Sequence, residues 1–301
     1  MFCPACGAAH EGSVQRCPCG YELASLAPPP SEHALSFHGD GAALFGLFLV
    51  NILLSICTLG IYYFWGRVKI RRYLYAQTEL AGERFAWHGT GGELLRGWLK
   101  ALLVLLAVLG LSAAWVGVLG EARGGVLATL TFYSFVILLI PVALVGSWRY
   151  RLSRTSWRGI RFSFRGGVGQ FLGLYLKGVL LTVLTLGFYS PYLLNSIRRF
   201  FVQNSWYGNL RLDFDGEGGD QFRAWLLSVL LVLPTLGLYG FWFLAAKERY
   251  YWSHTIFAGA RFRSTLTGGR VLGMFVTNLL LVAYTLGIGM HWAKVRARRY
   301  G

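Results

Sequence analysis

The chain has 301 residues, 55% of them hydrophobic and only 14% charged, with a mean hydropathy of +0.48. Soluble domains carry about 25% charged residues, so the composition disfavours an ordinary water-soluble enzyme and points to a membrane protein. The formal net charge is +16, but the basic residues sit beside apolar runs. An anionic lipid surface accounts for them there, and nucleic acid is not an expected partner.

The first residues, "MFCPACGAAHEGSVQRCPCGYEL", lack the basic region and apolar core of a cleaved signal, so the first apolar span is expected to act as an uncleaved insertion signal. Cys3 and Cys6 form a CxxC turn, and Cys17 and Cys19 form a shortened second one. Zinc takes four tetrahedral thiolate or imidazole ligands, which these cysteines supply, with His10 in reserve because the CxC is one residue short. The stretch is similar to the short zinc ribbons at the ends of many bacterial proteins. Disulfides or free thiols are the alternative. Structural zinc is favoured because it supplies folding energy that so short a segment lacks, and such a site implies a reducing compartment. The expected domains are a ribbon over 1–23, a proline-bearing linker over 24–34 and a membrane domain over 35–301. Cys57 reads as an inert buried thiol.

Apolar runs of about 18 residues or more read as membrane spans, and they occur at 42–64, 98–119, 126–147, 170–194, 224–244 and 271–292. Thr-Leu-Gly recurs at 58, 185, 235 and 285, followed each time by aromatics and then by basic residues. A fixed period signals tandem units, placed at about 35–83, 84–159, 160–209, 210–259 and 260–301. Arg72, Arg149, Arg199, Arg249 and Arg299 each precede an aromatic, and Arg84, Arg161, Arg211 and Arg261 follow the first four at equal spacing. Each unit opens on a short alternating segment ending in glycine, such as "RFAWHGTG", which reads as a strand and turn. The expected fold is therefore an all-α membrane bundle of about six spans with short β segments in its connections. Tyr62 to Trp65 would be an interfacial aromatic belt, and the repeat arginines would face headgroups.

The stretch "TLGIYYFWGRVKIRRYLYAQTELAGERFAWHGTGGELLRG" (58–97) resembles a bacterial inner-membrane family of unknown function, typified by YjgN. The resemblance covers about residues 35–301. It implies a multi-pass inner-membrane protein and supplies no reaction, substrate or site residues.

Six full crossings with a cytoplasmic ribbon put more Lys and Arg outside than inside, against the usual bias. Six ordinary spans with a weak charge bias are the plain reading; the conflict is relieved if the ribbon is outside, or if units turn back at Thr-Leu-Gly so that their linkers share one face. Broken helices require protein to satisfy their freed backbone groups. With linkers on one face, the strands can pair into a small sheet, with Phe37, Phe85, Phe162 and Phe262 turned toward the bundle.

No carboxylate lies in a span, which argues against a carboxylate proton relay. Lys100 and Lys177 lie near span ends and can snorkel. Asn51 and Asn278 share one repeat position, where helix-to-helix hydrogen bonding is the plain reading. One functional reading is a small-solute carrier or channel with a polar seam through Asn51, Lys177, Ser228 and Asn278. The other is a scaffold or sensor whose ribbon and basic helices bind a protein partner or anionic lipid. An enzyme is not expected, because no nucleophile–base set or intramembrane metal cluster is present in the sequence.

Overall fold

Short strands alternate with long helical excursions. β1 (Leu35–Phe37) leads into α1 (Gly41–Cys57) and α2 (Tyr63–Ala76), and the chain returns as β2 (Thr78–Leu80). A two-residue turn joins β2 to β3 (Glu83–Trp87), which opens the next excursion, α3 (Gly91–Ser153). The pattern continues through β4 (Thr155–Trp157), β5 (Ile160–Phe164), α4 (Val168–Leu184), α5 (Ser190–Gln203), β6 (Ser205–Tyr207), β7 (Leu210–Phe214), α6 (Gly218–Val232) and α7 (Tyr239–Ser253). It closes with β8 (Thr255–Phe257), β9 (Ala260–Arg261), α8 (Gly268–Tyr284) and α9 (Met290–Tyr300). This computed structural model describes residue 19 and residues 33–300. The chain divides into two units, Met1–Leu35 and Ser36–Gly301; the ribbon expected over 1–23 lies, except for Cys19, outside the described residues.

The strands form one antiparallel sheet in chain order, β1 to β9. Two-residue connections hold the register: Ala81-Gly82, Arg158-Gly159 and Ala258-Gly259 all have positive φ, as a type I′ turn requires. Each odd-numbered strand runs out to a helix and each even-numbered strand brings the chain back. All the helices therefore leave from one end of the strands, and all the tight turns lie at the other.

Alternation gives the sheet two unlike faces. One carries Phe85, Trp157, Phe162, Tyr207 and Phe257, whose ring centroids lie 5.0–6.5 Å apart in a continuous chain of contacts. The Tyr207 hydroxyl donates to the Trp157 carbonyl at 2.9 Å. The other face carries charge, with Arg261 paired to Asp215 and Arg84 3.9 Å from Glu79.

Polar side chains cap α1, α3 and α8. Asp40 caps α1 by accepting from the Ala43 N–H at 3.0 Å, and Thr90 with Glu93 forms a capping box on α3. Each helix packs on its neighbours in the chain, and α9 packs back on α1, which closes a ring. Val68, Val145, Asn195, Ala245 and Val295 occupy equivalent places in the returning helices, and all are buried.

The six-span expectation needs correction. The runs 42–64, 170–194, 224–244 and 271–292 are not single helices; each breaks at Thr-Leu-Gly into two antiparallel arms. The runs 98–119 and 126–147 are the two arms of α3, folded back at Gly120, whose φ is 76°. Among the described residues, α3 alone is long and apolar enough to cross a membrane. Tyr62 to Trp65 therefore follow a reversal of the chain, at the start of the returning arm α2.

Candidate membrane-insertion site

The four Thr-Leu-Gly turns share one geometry. Leucine and glycine both take left-handed backbone, with φ of 49–51° at Leu59, Leu186, Leu236 and Leu286 and 83–96° at the glycines that follow. That pair reverses the chain. A leucine so placed costs about 1–2 kcal/mol, a strain that the rest of the turn must offset. The glycine N–H reaches back to the carbonyl five residues earlier at 2.6–2.8 Å.

The threonine completes the turn. Its hydroxyl donates to the carbonyl four residues back at 2.5–2.7 Å. The same oxygen accepts the N–H four residues ahead, at the start of the returning helix, at 2.7–3.1 Å. The turn thus provides internally for backbone groups that water would otherwise serve, which is the condition for placing a reversal in hydrocarbon. The four leucine side chains meanwhile stand 91–94% exposed. Water would oppose that exposure at four tips at once, and lipid favours it.

In the four Thr-Leu-Gly hairpins charge is kept off the tip and begins partway along the arms. Lys100 and Lys177 occupy the same place, nine residues past Gly91 and Val168, and both are exposed. At 1.5 Å per residue, Lys177 is about 12 Å short of the turn at Thr185, and Lys100 is about 30 Å short of Gly120. A bilayer's hydrocarbon core is about 30 Å thick. If the two lysines share a depth, α3 reaches the far side and α4–α5 stops near the midplane. Each arm of α1, α4 and α8 spans 17 residues, and the first arm of α3 is longer by about 12, or ~18 Å. The tip of α3 carries Glu121 and Arg123, whereas the other four tips are apolar. Arg123 is the one Lys or Arg among the described residues at that far tip.

The repeat arginines clasp neighbouring units. Arg149 donates to the Gly166 carbonyl at 2.8 Å, Arg199 to Gly216 at 2.8 Å and Arg249 to Leu266 at 2.9 Å. Arg299 reaches Gly39 at 2.9 Å, so the last unit holds the first by the same bond. All five repeat arginines, Arg72 included, are also exposed, which leaves guanidinium surface to face outward. Two of the tyrosines that follow these arginines reach backward. Tyr73 accepts from the Asp40 N–H at 2.8 Å, and Tyr250 accepts from the Glu217 N–H at 2.6 Å. Tyr250 also donates to Asp220 at 2.8 Å; burial and this carboxylate together push its hydroxyl pKa well above the usual tyrosine range.

The residues expected to form a polar seam are not drawn together. Asn51 is buried and donates to the Gly66 carbonyl at 3.2 Å, joining α1 to α2. Lys177 is exposed, and Ser228 and Asn278 are half-buried on other hairpins. Two hollows among the described residues are lined by none of the four. One, of about 340 Å³, is lined by Leu109, Ser112, Ala128, Thr129, Phe132 and Tyr133; the other, of about 120 Å³, lies beside Gln221 and Tyr250.

Asn195 is a residue that sequence reasoning missed. Its amide donates to the same Gly216 carbonyl as Arg199, at 2.8 Å, from a buried position. The signal was there: it is the polar member of a position otherwise held by Val68, Val145, Ala245 and Val295. Of the zinc-ligand candidates Cys3, Cys6, Cys17 and Cys19, the structure describes Cys19 alone, exposed in a turn.

Comparison with known proteins places the chain in a class of bacterial proteins without an assigned activity. It belongs to the family described as "Bacterial protein of unknown function (DUF898)", whose model matches residues 32–241, 209–272 and 242–301. Among curated relatives, the chain is 39% identical over 133 residues to inner membrane protein YjgN of Escherichia coli O157:H7, covering 44% of this chain and 31% of that protein. It is 36% identical over 140 residues to YjgN of Escherichia coli K12 (46% and 33%), and 35% identical over 134 residues to that of Salmonella typhimurium (44% and 32%). The aligned stretch thus spans about a third of these relatives' length. No solved structure matches.

Proposed function

We propose that this chain is a non-enzymatic protein of the bacterial inner membrane, embedded from one face and working as a scaffold that gathers anionic lipid. The observation that carries this reading is the segregation within each of the four Thr-Leu-Gly hairpins: an apolar, self-satisfied tip at one end, and basic residues toward the sheet at the other. In this arrangement the hairpin of α3 crosses the bilayer and the other four stop near its midplane. The sheet and belt face the cytoplasm, which meets the positive-inside bias without exporting the N-terminal segment. Arg67, Lys69, Lys100 and Lys177 then lie at the level of anionic headgroups, each worth about 1 kcal/mol of attraction. Cys3, Cys6, Cys17 and Cys19 would hold one structural zinc in the N-terminal ribbon, which would offer a protein partner a docking module.

The carrier reading draws its support from the Oδ1 atoms of Asn51 and Asn278, both buried without a partner. It needs a continuous path through Lys177 and Ser228, and Asn51 already serves as an interhelical tie.

Energy transfer from the protein's tryptophans to dansyl-labelled lipids in proteoliposomes tests the scaffold. Anionic lipid should be enriched around the protein over zwitterionic lipid by several-fold, and Gln at the four basic positions should remove the enrichment. Equal transfer to both lipid classes would refute it.

A further inference from the structure

The unequal hairpins imply an unequal demand on the two leaflets. The four Thr-Leu-Gly hairpins and the base of α3 bring ten helical segments to the sheet side, whereas only the two arms of α3 continue past the level of the other tips. With a helix about 10–12 Å across, that is roughly 900 Å² of cross-section in the near leaflet against roughly 180 Å² in the far one.

We infer that the domain is a one-sided wedge that binds preferentially to membrane convex toward its sheet. The partner is a lipid surface of stated shape: an anionic bilayer whose sheet-side leaflet is stretched by curvature. Three features make the wedge stiff enough to impose its shape. The ring of helices closes through α9 and α1. The arginine clasps join consecutive units, with Arg299 on Gly39 completing the circuit. The aromatic face of the sheet holds the hairpin bases to fixed positions. A stiff insertion with most of its cross-section in one leaflet relieves packing stress where that leaflet is expanded, as shallow amphipathic insertions do.

The inference rests on the one-sided reading above, so the test separates the two. In a full chain whose five native cysteines are replaced by serine, the background for both labels, Asp213→Cys is reconstituted into anionic vesicles of mixed diameter, and an impermeant fluorescent maleimide marks the molecules whose sheet faces outward. Protein per unit area is then read vesicle by vesicle. Density should rise about threefold or more from vesicles of about 400 nm to those of about 50 nm. In parallel, a spin label at Leu236→Cys reports depth by its accessibility to oxygen and to a water-soluble nickel complex. A label near the midplane with flat density overturns the wedge alone. A label at the far interface overturns the one-sided reading, and the wedge with it.

Discussion

Replacing Thr185 by valine removes one hydroxyl and leaves the shape of the turn intact. The Leu181 carbonyl keeps the Thr185 N–H at 2.9 Å, so that acceptor stays served. The Tyr189 N–H loses the oxygen it meets at 3.0 Å. In water the N–H would be solvated and the loss would resemble that of a helix cap, about 0.5–1 kcal/mol. In hydrocarbon no substitute exists, and the cost is that of an unpaired buried donor, about 1–3 kcal/mol or more. Thr185→Ser keeps the oxygen and should cost under about 0.5 kcal/mol. Reversible unfolding of the reconstituted chain in lipid bicelles compares the variants. The expected order is serine near wild type and valine lower by about 2 kcal/mol, with Thr235→Val adding a similar, independent loss on a separate hairpin. Valine and serine variants of equal stability would show that the turn does not lie where its hydrogen bonds suggest.

Other outcomes follow from the same contacts. Arg199→Leu should destabilise by about 1.5–3 kcal/mol because a charge-assisted bond to Gly216 is lost, whereas Lys69→Leu should change stability by less than about 1 kcal/mol; equal losses in the same unfolding assay would deny the clasp a special role. A Cβ at Gly66 would come within 2.9 Å of Asn51, so Gly66→Ala should destabilise by about 1–3 kcal/mol and Asn51→Ala should recover part of that loss, read as non-additivity of the pair. The Asp213 carboxyl is held below its ordinary range by the Phe214 N–H at 2.8 Å and the Gln203 amide at 2.9 Å. A lowered folded-state pKa contributes stability above the unfolded value and loses it as pH falls through the folded one, so Asp213→Asn should flatten the acid limb of a stability–pH curve.

Much of this architecture can be read from the residues. The period of Thr-Leu-Gly, the strand segments and the arginine register all appear in the sequence, and each marks a recurring contact. The reversal of the chain does not. Hydropathy runs unbroken from α1 through Leu59 into Tyr63, so a length criterion joins two arms into one span. Only the positive φ of leucine, which sequence patterning disfavours, reveals the turn. The clasps were half legible: the arginines stood out, but their acceptors are backbone carbonyls, which carry no sequence signature. Asn51 shows the converse. Its polarity invited a transport role, and its amide is engaged by a glycine carbonyl on the facing arm.

The central claim is that the links between hairpins share one side of the membrane. Single cysteines at Ser163, Asp213 and Ser264, probed with an impermeant maleimide in spheroplasts and in inverted vesicles, measure this directly. The account predicts that all three are protected in spheroplasts and labelled in inverted vesicles. Protection of Asp213 with labelling of Ser163 and Ser264 in spheroplasts would contradict it, since six plain crossings give that pattern.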